Sequence, residues 1–157
     1  GRTRCQFYKG VADWNAIRAV KQAVSIPVLA NGDIVDLSTA RSALEQSGAD
    51  GVMVGRGAQG RPWLLAQMAH DIWGSKAPDI PQGSDFIGMV STHYRAMLSF
   101  YREDFGLRVA RKHLGWYMDV SGTDTNLRRL VLTEKDPNTV LRLLPEALTP
   151  TSHEVAA

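Results

Sequence analysis

Two short runs of the chain have the residue types needed to hold an anion: Asn31-Gly32-Asp33 and Gly55-Arg56-Gly57. Each follows an apolar stretch with strand character, Ile26-Pro27-Val28-Leu29-Ala30 before the first and Gly51-Val52-Met53-Val54 before the second. Glycine at such exits permits positive φ and lets backbone N–H groups approach a ligand with no Cβ in the way. Arg56 adds a charge-assisted contact. Asn31 and Gly55 lie 24 residues apart, the length of one βα repeat, so both loops are expected at the same edge of a parallel sheet. Either cluster taken singly reads as an ordinary βα turn. Together, at this spacing, they read as a phosphate site where two strand ends converge. In a (β/α)8 barrel the loops after the last two strands frequently hold a phosphate in this way. The pattern leaves the ligand open, because flavin and sugar phosphates would both satisfy it.

The elements that must position these loops follow from periodicity. Asp13 is placed to cap a helix carrying Trp14, Ile17, Val20 and Val24. Asp36 or Ser38 starts a second helix with Leu37, Ala40, Ala43 and Leu44 on one face, stopped at Ser47-Gly48. Pro62 suits a helix start, and Trp63, Leu64, Met68 and Ile72 continue that helix. Alternating strands and helices over residues 1–73 predict βα units. Residues 74–83 break every period and read as a linker. Beyond them only helical patterns occur, at Phe86–Tyr101, Leu107–Val120, Thr125–Leu132 and from Asp136-Pro137 onward. The expected fold is therefore α/β, the C-terminal part of a (β/α)8 TIM barrel over 1–73, then a small all-α bundle over 84–150. Residues 151–157 read as a frayed tail.

Composition bounds the function. The chain has 157 residues, 44% of them hydrophobic, enough for a real core. No apolar run approaches the ~20 residues of a membrane helix, and no signal-peptide pattern occurs. A single cysteine, Cys5, rules out an internal disulfide and a cysteine-built zinc site, and suits a cytoplasmic protein. The formal charge of +2 is too small to argue for nucleic acid. Its distribution is more telling: Arg2, Arg4, Lys9, Arg18 and Lys21 face only Asp13 across residues 1–21. Such a stretch either attracts phosphates or is simply solvated.

Four ordered blocks carry a family resemblance. These are Gly1-Arg2-Thr3-Arg4-Cys5-Gln6-Phe7-Tyr8-Lys9-Gly10 with Ala12-Asp13-Trp14, then Ile26–Ile34, then Gly48–Trp63, and Arg108-Val109-Ala110-Arg111-Lys112-His113-Leu114-Gly115-Trp116-Tyr117. Together they resemble the tRNA-dihydrouridine synthases, and the bacterial B-type branch best, over about residues 1–120. The resemblance implies an enzyme, monomeric at full length, that reduces the C5–C6 double bond of a tRNA uridine with FMN as cofactor and NADPH as reductant. It implies that Asn31, Gly32, Asp33, Gly55 and Arg56 touch FMN, chiefly its phosphate and ribitol end. Arg2, Arg4 and Lys9 would lie beside the active-site mouth, facing tRNA. In the bundle it makes Arg108, Arg111 and Lys112 tRNA contacts. Their spacing equally fits a solvated helix face, since residues 84–157 carry nine basic and nine acidic side chains. His93 and His113 read as packing or surface residues. Trp14, Trp63, Trp116 and Tyr117 read as core rather than base-stacking platforms.

The chain also departs from the family pattern. The family's proton-donating cysteine belongs to an Asn-x-Gly-Cys-type motif that residues 1–157 do not contain, and Cys5 sits in a different motif. No catalytic residue is therefore assigned. A flavin-contacting lysine and a histidine ahead of the Gly-Arg-Thr block are likewise unmatched. With Gly1 opening directly in loop chemistry, the expectation is a chain that starts inside a larger fold. A two-strand remnant exposes edges that a closed barrel lacks. Such a chain is expected to need its helical half for solubility, to hold FMN poorly and not to reduce uridine. Two other readings remain: an RNA-binding helical module without catalysis, and a different phosphate-binding barrel enzyme using Asp33 or Asp50.

Overall fold

A computed structural model describes residues 9–150. The expected tail at 151–157 lies outside them. The described residues form a mixed α/β structure, mostly helical, with two short parallel strands. That is consistent with part of a barrel. The chain divides into two compact units, Gly1–Asp79 and Ile80–Ala157.

The first unit contains α1 (Asn15–Ala23), β1 (Leu29–Asn31), α2 (Leu37–Ser47), β2 (Gly51–Met53), a 3-10 turn at Arg56–Ala58, and α3 (Leu64–Trp73). Asp36 starts α2: its carboxylate accepts from the Thr39 backbone N–H, and the Thr39 hydroxyl answers the Asp36 backbone N–H. Gly48, at φ 63°, ends the helix in the left-handed conformation that glycine adopts without strain. Asp13 does cap α1, since its Oδ1 accepts from Ala16 N at 3.0 Å. Arg18 on α1 then donates to the carbonyls of Glu45 and Gln46 at the end of α2, groups that have no partner within their own helix. The core is small: Ala30, Ile34, Ala40, Ala43, Leu64 and Met68, with Trp14, Ile17, Val52 and Val54 packed against it. Small alanines on β1 and α2 let helix and strand approach closely.

In this unit three boundaries differ from the sequence expectation. β1 runs over Leu29–Asn31 rather than from Ile26, because Val28 N is taken by the Asp50 carboxylate and Pro27 has no N–H to offer. The strand at 51–54 stops at Met53. Pro62 precedes α3 by two residues, and Val20 and Val24 of the expected α1 face are exposed.

Among the described residues the second unit has four helices: α4 (Gly83–Tyr101), α5 (Glu103–Ser121), α6 (Thr125–Thr133) and α7 (Pro137–Leu148). Helix α4 starts inside the expected linker, and α5 starts four residues ahead of Leu107. The turn between them is Arg102 alone, held at φ 62°. Gly106 makes this tight reversal possible: a Cβ there would lie 2.8 Å from Leu98 Cα and 3.0 Å from the Met97 carbonyl. Asp124 and Asp136 cap α6 and α7, each accepting two backbone N–H groups. Val90, Tyr94, Leu114, Met118, Val131, Val140 and Leu144 are almost completely buried and fill the interior.

Candidate functional site

Strands β1 and β2 pair in parallel, with Asn31 opposite Met53. That register brings the two chain exits to one sheet edge, so Asn31-Gly32-Asp33 and Gly55-Arg56-Gly57 are neighbours. The first loop is bent by two consecutive positive φ values, 116° at Gly32 and 54° at Asp33. The first requires glycine, whereas the second is a conformation that Asp and Asn tolerate best among residues with a side chain. The Trp14 indole N–H donates to the Gly32 carbonyl at 2.8 Å and fixes the bend. Trp14 is thus packed against the core, as expected, and also ties α1 to the site.

Asp33 is the most committed residue of the edge. Its Oδ2 accepts from Ala12 N at 2.7 Å, and its Oδ1 lies 3.7 Å from Arg56 Nη2. The carboxylate therefore joins the segment ahead of α1 to the arginine of the second loop. Arg56 is largely exposed, at 63% of its side chain, against 26% for Asp33. A Cβ on Gly55 would meet nothing within 4 Å, so open space adjoins the arginine. Gly57 is the opposite case. A Cβ there would come within 2.5 Å of the Ile34 carbonyl and 2.7 Å of Val35 Cα, so this glycine lets the 3-10 turn sit directly on the first loop. The amides of Ala58 and Gln59 are consumed inside that turn by the carbonyls of Gly55 and Arg56.

Arg61 carries a role that the sequence reading left unassigned. Its guanidinium donates to the carbonyls of Val35 and Gly57 at 3.2 and 3.3 Å, clamping the two loops together. Its only signal was its place in the Gly48–Trp63 block. Asp50 is engaged elsewhere. It precedes β2, bonds Lys21 Nζ and Val28 N, and these contacts hold its carboxyl below the usual carboxylate range. The Thr39 contacts do the same for Asp36. Both nearby carboxylates proposed for a different barrel chemistry, Asp33 and Asp50, are thus occupied in structural bonds.

Of the basic residues expected near the mouth, Lys9 is exposed, while Arg2 and Arg4 lie outside the described residues, as does Cys5. In the second unit Arg108 and Lys112 are exposed on α5, with the Arg108 guanidinium 5.4 Å from the Phe105 ring centroid. Arg111 is turned inward and donates to the Glu134 carbonyl at 3.4 Å. His93 and His113 stack edge to face at 5.0 Å, flanked by Tyr117 and Trp116. His93 Nδ1 lies 3.0 Å from the Tyr117 hydroxyl. Burial, then the neighbouring His93, lowers the His113 pKa, and burial raises that of Tyr117. Among the described residues no group of three or more His, Cys, Asp or Glu side chains is placed to hold a metal, and no helix is long and apolar enough to cross a membrane.

The family model for dihydrouridine synthases matches residues 1–152. The chain belongs to the dihydrouridine synthase family. Its curated relatives include a probable tRNA-dihydrouridine synthase of Rhodobacter capsulatus, 57% identical over 147 residues, covering 94% of this chain and 45% of the relative. A probable tRNA-dihydrouridine synthase of Rickettsia conorii is 46% identical over 149 residues, covering 95% and 45%. The tRNA-dihydrouridine synthase B of Salmonella typhimurium is 41% identical over 145 residues, covering 92% and 45%. The chain thus spans about half the length of the dihydrouridine synthases it matches, and the match runs through both units.

Proposed function

We propose that this chain supplies the phosphate-holding edge and the helical part of an FMN-dependent tRNA-dihydrouridine synthase, which reduces the uridine C5–C6 bond in tRNA at the expense of NADPH. The observation that carries the reading is the β1–β2 register, which sets two glycine-rich exits and an exposed arginine side by side. The residues fit a phosphate monoester: the guanidinium of Arg56 is accessible, the space beside Gly55 is open, and the Asp33 carboxylate is held by Ala12 N and Arg56. When bound, FMN supplies the hydride chemistry. Arg56 would bind its phosphate, Gly55 would leave room for that approach, and Asn31, Gly32 and Asp33 would complete the contacts at the phosphate and ribitol end. Arg61 and Gly57 keep the two loops at fixed separation. Residues 1–157 contain no Asn-x-Gly-Cys-type motif, so no residue of this chain is given the role of delivering the proton to C5.

Arg2, Arg4 and Lys9 give the opening segment its basic character and would meet tRNA phosphates, and Arg108 and Lys112 offer exposed charge on α5. Arg111 is better read as part of the helical packing, since its guanidinium is bonded to the Glu134 carbonyl.

The test is a titration of the chain with FMN and with riboflavin, which lacks the phosphate. FMN is expected to bind the more tightly, though too weakly to survive purification, and Arg56→Gln should erase the difference. Equal affinities for the two flavins would refute the phosphate edge. No dihydrouridine is expected from tRNA incubated with this chain, FMN and NADPH.

A further inference from the structure

Three aromatic rings stand in solvent at the α4–α5 reversal. Phe100, in the last turn of α4, is 81% exposed, and Tyr101 and Phe105 are 41% and 49% exposed. They are gathered rather than scattered: Phe100 meets Tyr101 edge to face at 4.8 Å, and Tyr101 meets Phe105 in the same way at 5.4 Å. The backbone that gathers them is strained. Arg102, the single residue between the two helices, is held at φ 62° and ψ 159°, a region otherwise left to glycine. Cations are interleaved with the rings. The Arg108 guanidinium lies 5.4 Å from the Phe105 centroid, within cation–π range. Lys112, one turn further along the same face of α5, is exposed, and so is Arg102. Asp104 is exposed too, in the first turn of α5, where the helix end itself favours a carboxylate.

We infer that this reversal is a stacking platform for an unpaired nucleotide of tRNA, with Phe100 under the base and Arg108 and Lys112 on the adjoining phosphates. It rests on the tRNA reading above and adds which part of the RNA is held. A nucleotide uses both halves of the patch: its base has a flat π-face for the open ring, and its backbone carries phosphates for the cations. Phe100 is the ring left open, since Phe105 already carries the guanidinium and Tyr101 lies between the other two. A paired base has its faces covered within the helical stack, so the occupant is a loop, a bulge or a chain end. A second copy of this chain fits badly, because a two-fold contact would set Arg102, Arg108 and Lys112 of one copy against the same cations of the other.

The experiment is binding of an unmodified tRNA transcript by the full chain, measured over a series of salt concentrations. Phe100→Leu keeps the apolar bulk of an exposed position and removes the π-face. Its melting point should stay at the parent value while its affinity falls about five- to tenfold. Its salt slope should match the parent, because stacking releases no counterions. Phe100→Trp should bind at least as tightly as the parent. Lys112→Gln should instead flatten the salt slope by about one. Single-stranded RNA should compete for the parent chain better than a blunt duplex of equal length, and Phe100→Leu should narrow that preference. An unchanged affinity in Phe100→Leu would overturn the platform, as would equal competition by the two RNAs. A parent chain that dimerises while Phe100→Leu stays monomeric would place a second copy on the rings and overturn it too. No tRNA binding by the parent would overturn the platform together with the tRNA reading, while the FMN titration would still decide the phosphate edge by itself.

Discussion

The two units solve the burial problem differently. The helical unit closes a core in which Tyr94, Leu114, Met118 and Leu144 are each at most 2% exposed, although Phe100 at the α4 end stays 81% exposed. The α/β unit leaves much of its apolar surface open: Ile26, Leu29 and Met53 are 66%, 60% and 56% exposed. Helices satisfy their own backbone and need only one apolar stripe covered, so four of them close a core. Two strands of three residues cannot. The two glycine-rich strand exits therefore sit on the less self-sufficient half, where their order depends on side-chain ties such as Asp33, Arg61 and Trp14.

Substitutions can break or sharpen this contrast. The largest effect is expected from Leu144→Ala, which empties a fully buried site and should cost the helical unit about 2–5 kcal/mol. Loss of the helical far-ultraviolet signal on heating reads it, and an unchanged melting point would mean the bundle is not closed. Next come the two close-contact glycines. Gly106→Ala forces α4 and α5 apart and Gly57→Ala forces the two loops apart, each by about 1–3 kcal/mol. Hydrogen exchange should show each penalty confined to its own unit; a loss shared by both would erase the contrast.

Acid should separate the units more gently. The His113 pKa is lowered from 6.5 in the fold, so the unfolded chain takes up this proton first. The contribution of neutral His113 is whole above pH 6.5, declines as pH falls from there to the folded pKa, and then levels off. For Asp36 and Asp50 the folded pKa is also lowered, from 3.8, by bonds to the charged form. Their contribution persists until pH drops below 3.8 and is lost toward the folded values. Between pH 7 and 5 the helical unit alone should weaken, and His113→Gln should remove that sensitivity. A melting point that is flat across this range in the parent chain would contradict it. The smallest effect is expected at Leu29→Ala, less than about 0.5 kcal/mol, because this side chain is already exposed. A loss comparable to Leu144→Ala would mean that something covers the strand face in solution.

Much of this architecture was readable from local chemistry. Helix ends announce themselves because their signals act within a few residues: Asp36, one of the two starts the sequence offered for α2, Gly48, and Asp136-Pro137 all sit at helix ends. The adjacency of the two glycine loops was readable too, since a 24-residue repeat and a parallel pair fix which ends coincide. Family membership followed from the same blocks, and the dihydrouridine synthase match bears it out.

Side-chain commitments were not readable. Arg111 and Arg108 look alike in sequence, yet Arg111 reaches the Glu134 carbonyl across 23 residues while Arg108 stays exposed. Asp33 is part of a ligand-type motif, yet its carboxylate meets an amide 21 residues earlier. Arg61 bonds a carbonyl 26 residues back. Periodicity and capping are short-range properties that the chain carries in its order of residues. Which guanidinium or carboxylate is left for a ligand depends on partners brought close only by folding, and the tertiary structure alone decided it.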